Sequence, residues 1–513
     1  MTVDYEASLN QTVRLGDVLP ADHLARFVVD AITQLDLRPL YSRYGTRGGA
    51  AYAPEVLLGL LFYGYATGVF SSRKLEQATH EAVPFRFITG GLHPDHDTIA
   101  NFRKTFLSEL KVLFVEVLLL AQAVGLLRLG NVSLDGAKVH ADASKSKAVS
   151  YKRAGELIAQ LQAEVDALFA LAEQADQVPL PAGMDVAAEI ATRQERLARL
   201  AEAKAVLEAR AKEREAGEQA AYEAKVRERA EKAQRTGRRP RGKPPTPPTP
   251  GPRDDDQYNF TDPESRIMKN STNNGFDQHY NAQLAVEQEH LFIVGYAVSN
   301  HPTDQGEVAP TVESIPAEVG IPAAAALDTG YFSAANIRLL EERGIDPYIA
   351  TGRTAHQQGW QAFFGQRLAL PPSAEASPKE KMAYKLQTKV GRAIYRLRKC
   401  TVEPVFGCLK EVLGFRQFSL RGLEAVTGEW CLLCLARNLK RLHTLLCAQG
   451  RARPGAALME APAALMTGVG ALGDGVGRAR VVGDACWQLL LIVFWVCGCR
   501  PQRRPSRFSP TGC

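Results

Sequence analysis

Residues 151 to about 236 include "AAEIATRQERLARLAEAKAVLEARAKEREAGEQAAYEAKVRERAEKAQ", a stretch dominated by Ala, Glu, Arg, Lys and Leu. No other segment limits the fold as much. It carries many i,i+4 charge pairs and predicts a helical hairpin or short coiled coil. "RTGRRPRGKPPTPPTPGPRDDD" follows, basic and proline-rich, and is expected to be extended and disordered. Residues 151–256 together read as an insertion that a larger domain tolerates at its surface. Its basic end is placed to touch a phosphate backbone. The strand signals before and after it then belong to one core.

At 513 residues the chain is too long for one ordinary core, so two or three domains are expected. Residues 1–128 read as an N-terminal helical domain. In "AYAPEVLLGLLFYGYATGVFSSRKLEQAT", Pro54 sits near a helix start and Ser71 or Ser72 is a candidate cap. "HPDHDTIANFRKTFLSELKVLFVEVLLLAQAVG" predicts one long helix, capped by Asp97 or Thr98 and stopped by Gly125. These helices suit either DNA contact or plain helical docking.

After residue 128 the period changes. "NVSLDGAKVHADAS" predicts a strand running into Asp135. "HYNAQLAVEQE" and "LFIVGYAVSN" predict a hairpin turned near Glu289 and His290. "AAAALDTGYFSAANIRLLEERG" is a buried strand ending at Asp328, then a helix capped by Ser333 and stopped by Gly344. "DPYIAT" is one more strand, and the chain from Lys379 to about Leu413 is helical and basic. Residues 129–150 and 257–445 therefore form an α/β core. Residues 446–513 are a low-complexity tail.

The formal net charge of +6 permits nucleic-acid binding without demanding it. All nine cysteines lie at or after Cys400, which argues against a disulfide framework and for a reducing compartment. The N-terminus is polar, with no secretory signal. The apolar run at 485–497 is shorter than the roughly 20 residues that a bilayer needs, so a buried helix is expected.

Three carboxylates stand out. Asp135 and Asp328 each end an apolar strand, where ligands gather in open α/β sheets. A lone Asp before Gly is more often a turn former. Glu403 precedes Pro404 in "KVGRAIYRLRKCTVEPVFGCLK", among Lys389, Arg392, Arg396, Arg398 and Lys399. Pro404 marks either a helix start or a kink. Lys410 lies seven residues beyond Glu403, almost on the same helical face. Three acids brought together repel one another unless divalent cations neutralise them. Two Mg²⁺ ions about 4 Å apart would activate one oxygen and stabilise another in phosphodiester chemistry. The plainer reading of the helix is a solvated basic face.

The chain resembles bacterial insertion-sequence transposases of the DDE class, specifically the IS1182-like group within the IS5/IS4-related transposases. The resemblance rests on "APEVLLGLLFYGYATGVFSSRKLEQAT", "HPDHDTIANFR", "LDGAKVHADASK", "TDPESRIMKN", "YNAQLAVE", "ALDTGYFSAANI", "YRLRKCTVEPVFGCLK" and "GFRQFSLRGLEAV", in that order. It implies an RNase H-like mixed sheet with flanking helices. It puts a catalytic and metal-binding triad on Asp135, Asp328 and Glu403. It also gives a signature on Tyr395, Arg398, Glu403 and Lys410 that contacts transposon-end DNA. The implied activity is binding of terminal inverted repeats, then Mg²⁺-dependent cleavage and strand transfer, with Mn²⁺ as a substitute. The implied partners are transposon-end and target DNA and further copies of the chain in a synaptic complex. The implied location is the bacterial cytoplasm, at the nucleoid. The rival readings are a nuclease of the same fold without strand transfer and a decayed or repurposed, non-catalytic DNA-binding protein.

Weaker signals read as structural. "CLLC" at Cys431–Cys434 lies on a Leu-rich helix and reads as core. His140, His301 and His356 read as structural or solvated, Tyr331 as a backbone-positioning residue rather than a nucleophile, and Asp304 as a helix cap in preference to an acid that supports the site from behind. Asp142 falls outside the triad motif.

Overall fold

The computed structural model describes residues 12, 14–45, 51–174, 185–237, 242–270, 275–352, 371–373 and 375–460. The apolar run at 485–497, His356 and the tail from 461 onward lie outside the described residues. No helix among the described residues is long and apolar enough to cross a membrane.

The N-terminal region is helical: α1 (Leu24–Ile32), α2 (Pro54–Thr67), α3 (Ser72–Glu81), α4 (His96–Thr105) and α5 (Leu107–Ala123), with shorter turns between. Pro54 opens α2 as expected, where its missing N–H costs nothing. Gly68 ends it at φ +86°; a Cβ there would also stand 2.7 Å from the Leu413 carbonyl oxygen. The expected long helix after His93 is two. Asp95, not Asp97 or Thr98, caps α4 by accepting from the Thr98 N–H at 2.8 Å. The break falls at Phe106, whose ring packs on Phe102, and the Thr105 carbonyl accepts from Arg43 instead of continuing the ladder. Gly125, at φ +74°, terminates α5.

A mixed sheet follows. Its central strand β1 (Asn131–His140) pairs antiparallel with β5 (Phe276–Glu287) along its whole length. On its other side β1 runs parallel to β7 (Ala324–Leu327), which runs parallel to β8 (Asp346–Ile349). The far edge of β5 pairs with β4 (Arg266–Lys269) and β6 (Ile293–Ser299), and Glu287 to Ile293 is the expected hairpin. Helices α8 (Val308–Glu313) and α9 (Ala334–Glu342) pack against β6 and β8. Ser333 caps α9 as expected. Helices α10 (Pro378–Gln387), α11 (Lys389–Gly407) and α12 (Leu423–Ala448) complete the layers, with α11 over β1 and β7.

Helix α12 packs on β6, α2 and α5 and joins the helical region to the sheet. Cys431 and Cys434 are fully buried in it, as core cysteines; burial pushes the Cys431 thiol up to about 12. A buried tie crosses the same junction. Arg103 donates to the Tyr65 hydroxyl at 2.9 Å, and Tyr65 donates to Glu429 at 3.1 Å. A short helix at Pro454–Met459 follows, inside the expected low-complexity tail, with Ala457 and Leu458 buried.

Residues 151–256 leave the core through a narrow neck. β2 (Ala148–Ser150) and β3 (Gln257–Asn259) pair antiparallel there, placing Ser150 opposite Gln257. Helices α6 (Tyr151–Gln174) and α7 (Val186–Thr236) form the predicted hairpin around a small core of Val149, Ala154, Leu161, Leu200, Ala203, Leu207 and Tyr258. The proline-rich segment departs from expectation, because from Gly242 it lies along α7. Extended polyproline backbone has no internal hydrogen bonds, and arginines supply donors instead. Arg229 donates to the Gly242 carbonyl at 2.7 Å, and Arg214 grips Asp256 at 2.7 and 2.8 Å.

Candidate active site

Register brings the first two acids together. β1 and β7 run parallel and stay paired through Leu134 and Leu327, both essentially buried. The next residues are Asp135 and Asp328, so the carboxylates leave neighbouring strands at one level. β7 ends there, and the Asp328 carboxylate accepts from Thr329 N–H at 2.7 Å, capping a short 3₁₀ turn at Thr329–Tyr331. β1 does not end: it continues to His140 because β5 pairs with it throughout. Asp135 is therefore mid-strand, not at the strand terminus that the sequence suggested. It stands where the parallel neighbour stops and leaves room above it.

Helix α11 supplies the third acid across this gap. Thr388 caps it, accepting from Gly391 N–H at 3.0 Å. Pro404 lies inside the helix, so it is neither at a helix start nor in the first turn. It removes one backbone bond from the segment that carries Glu403. At Cys408–Val412 the helix widens into a π turn.

One guanidinium gathers the three acids. Arg398 Nη1 lies 3.1 Å from Asp135 Oδ2, and Nη2 lies 3.5 Å from Glu403 Oε1 and 3.9 Å from Asp328 Oδ1. Arg398 is only 6% exposed, whereas the Asp328 and Glu403 side chains are 50% and 49% exposed and keep free lobes toward solvent. Burial pushes the Asp135 carboxyl up to about 6, against the opposing pull of the Gly136 N–H and Arg398. Burial works against the charge on Arg398, yet Tyr395 and the three acids together hold it above its ordinary value. Tyr395 is half-buried beside it, its ring centroid 6.0 Å from the guanidinium carbon, and burial raises its phenol.

Lys410 goes elsewhere. The π turn carries its ammonium to the Lys138 carbonyl of β1, to which it donates at 2.8 Å, and burial lowers its pKa. Glu403 and Lys410 thus do not serve one common face, because the extra residue per turn of a π segment breaks the heptad-like spacing. Lys389, Arg392, Arg396 and Lys399 are exposed along α11.

Three carboxylates without thiolate or imidazole are the donor chemistry that a hard cation such as Mg²⁺ takes. Among the described residues, no three such groups stand close enough to grip one metal ion. The guanidinium of Arg398 is the cation at their centre.

Residues 248–439 match the family model for the transposase DDE domain. Residues 13–105 match the model for the Transposase domain (DUF772). The chain has the domain architecture of IS1182-family transposases. The first match takes in Asp328, Tyr395, Arg398 and Glu403, while Asp135 lies before it, so its place beside Asp328 rests on strand register. No curated protein and no solved structure matches the chain.

Other side chains fall outside the site. Asp142 pairs with Arg421 at 2.8 Å, His140 packs at a tilt against His279, and His301 pairs with Glu307 at 2.9 Å. Asp304 does not cap α8, whose N-cap position is Glu307. Its carboxylate instead accepts from Asn281 at 2.8 Å and Gln283 at 3.1 Å, with the Lys138 ammonium 3.6 Å away. Sequence reasoning missed Asn281 and Gln283. The available signal was polar residues at alternate positions of "YNAQLAVE", inside a strand otherwise apolar enough to be buried.

Proposed function

We propose that this transposase binds the terminal inverted repeats of its own element, cleaves a phosphodiester there and joins the exposed 3′-hydroxyl to target DNA. The observation that carries this reading is the convergence of Asp135, Asp328 and Glu403, from three distant segments, on one guanidinium at the end of the parallel strands. The sheet order, with the first acid on its central strand and the second on the parallel neighbour, supports an RNase H-like core. Residues 1–128 serve as the DNA-end module, residues 129–150 and 257–445 as the catalytic domain, and residues 151–256 as an arm.

The three acids are the metal holders. Bound Mg²⁺ or Mn²⁺ supplies charge stabilisation for an in-line phosphoryl displacement. The acids orient from a rigid sheet and a helix, which fixes the reacting groups in one geometry. Arg398 neutralises them while no other cation is present. Released from them, it pairs with a phosphate, and Tyr395 flanks the strand. Lys410, named with them for DNA contact, braces β1 through the Lys138 carbonyl. The exposed basic face of α11 positions the backbone without reading bases. The transposase works at bacterial DNA as a dimer or larger synaptic assembly.

The test is cleavage of a labelled end fragment with Mg²⁺ or Mn²⁺, comparing wild type with Asp135→Ala, Asp328→Ala and Glu403→Gln. Each variant is expected to bind the end and fail to cut it. Normal cutting by any of them removes that residue from the triad. A pre-cut 3′ end then separates strand transfer from simple nuclease action. The alternative, a non-catalytic DNA-binding protein, draws on the pairing of Arg398 with all three acids; end binding with no metal-dependent turnover in the wild type would favour it.

A further inference from the structure

Behind the acids, on the opposite face of the sheet, lies a second polar cluster that the proposed chemistry does not use. Gln283 sits on β5 directly opposite Gly136 and is 1% exposed. Its amide lies across the glycine: a Cβ on residue 136 would stand 2.2 Å from Gln283 Nε2. Glycine at 136 is thus dictated by close approach, not by a turn. Gln283 Nε2 donates to Asn281 Oδ1 and Asp304 Oδ1, each at 3.1 Å. Its Oε1 accepts from the Tyr331 hydroxyl.

Tyr331 is equally buried, and it is the last residue of the 3₁₀ turn that Asp328 caps. Its N–H donates to the Asp328 carbonyl at 3.2 Å. Asn336, in the first turn of α9, donates to the Tyr331 carbonyl at 2.7 Å and to the Gln305 carbonyl at 2.8 Å, which holds the turn from the other side. A continuous chain of direct contacts therefore runs from the residue after Asp135, through Gln283 and Tyr331, to the turn that begins with Asp328.

We infer that Gln283 and Tyr331 are positioning residues that lock the spacing between Asp135 and Asp328. A leucine and a phenylalanine would fill the same space without the cost of burying an amide and a phenol. What the polar pair adds is a fixed length and direction, since a hydrogen bond loses strength steeply when either is changed. The two strands alone do not give this: β7 stops at Leu327, so nothing in the ladder holds Asp328 to Asp135. Asp304 and Asn281 orient the Gln283 amide so that its oxygen, not its nitrogen, faces Tyr331.

The inference rests on the reading of the acids as metal holders, and the experiment separates the two. Mn²⁺ alone is titrated into the full chain by calorimetry or electron paramagnetic resonance, for wild type, Tyr331→Phe, Gln283→Leu and Asp135→Ala. Residues that orient metal-binding side chains typically change affinity by about 10–100-fold. Tyr331→Phe and Gln283→Leu are expected to weaken Mn²⁺ binding by that factor, well below their melting temperatures and with end-DNA binding intact. Cleavage by Tyr331→Phe is expected to recover at high Mn²⁺, whereas Asp135→Ala stays inactive. A melting shift with Mn²⁺ affinity within twofold of wild type in both variants would reduce the pair to core packing and overturn the inference alone. Wild-type affinity in Asp135→Ala, or no Mn²⁺ binding by the wild type, would overturn the acid-site reading and this inference with it.

Discussion

Two arginines show how differently the arm and the sheet use charge. Arg214, on α7, holds one carboxylate, Asp256, and pins a proline-rich segment to a surface helix. Arg398, on α11, is shared among three carboxylates that arrive from three parts of the chain. The arm is assembled from contacts local to its own hairpin and neck, with a small core of its own. The site depends on strand register, a helix crossing and a buried guanidinium. Charge in the arm organises a surface. In the sheet it is concentrated beyond what local structure needs, as the proposed role of the three acids requires.

The largest expected effect falls on the acids. Asp135→Ala, Asp328→Ala or Glu403→Gln should lower end cleavage by roughly 10³-fold or more, the scale on which preorganised electrostatic stabilisation contributes. The charge-removing change Asp256→Asn in the arm should leave the rate near wild type. Equal losses in a gel assay would erase the contrast between the regions.

Next comes pH. Burial first, and the neighbouring acids after it, hold the Asp135 carboxyl near 6 in the folded chain, above its ordinary 3.8. The folded state then keeps a proton that the unfolded state has released. Stability from this group is fully present below about pH 4 and is lost as pH rises to about 6, on the order of 2–3 kcal/mol. Urea titrations of wild type and Asp135→Asn should show that the variant lacks this fall and is the more stable of the two at pH 7. Parallel curves would mean that Asp135 is better compensated than the geometry indicates.

Removing Arg398 comes third. Arg398→Ala leaves three acids facing one another without their cation. Loss of one partner from a buried charge cluster is costly, but the half-exposed Asp328 and Glu403 limit the penalty to on the order of 2 kcal/mol. Arg214→Ala should cost about 1 kcal/mol or less and act on the arm alone. Chemical denaturation of the two variants side by side measures the difference. Added Mn²⁺ should raise the stability of Arg398→Ala more than that of Arg214→Ala, whose acids keep their arginine.

The smallest effect is expected from deleting the arm. Ser150 and Gln257 already face each other across the neck, so a short turn can join them in place of residues 151–256. Loop entropy changes slowly with length, and the sheet should lose less than about 1 kcal/mol. Circular dichroism melting of the shortened chain would test it. A collapse of the sheet would show that the arm braces the site.

Much of this was legible in residues alone. The hairpin pattern of 151–236, the strands around Asp135, Asp328 and Tyr348, and the basic helix carrying Glu403 all came from periodicity and caps, which report local burial. Other features were invisible for a common reason. Asp135 is mid-strand because β5 outruns β7, and strand length depends on partners. Pro404 lies inside α11, and Lys410 leaves the expected face because a π turn carries it to the β1 backbone. The proline-rich segment is ordered from Gly242 onward because arginines of α7 meet its carbonyls, which composition does not reveal.

The sequence by itself determined the parts: a helical N-terminal region, a charged arm, two apolar strands each associated with an acid, and a helix carrying base and acid together. Their spacing along the chain carries no distance in space. Only the tertiary structure decided that Asp135 and Asp328 stand side by side, that Glu403 crosses to them, and that Arg398 occupies their centre. It also placed Gln283 over Gly136. Helix and strand formation follow from neighbours a few residues apart, whereas convergence of distant charges requires a packed sheet in one register.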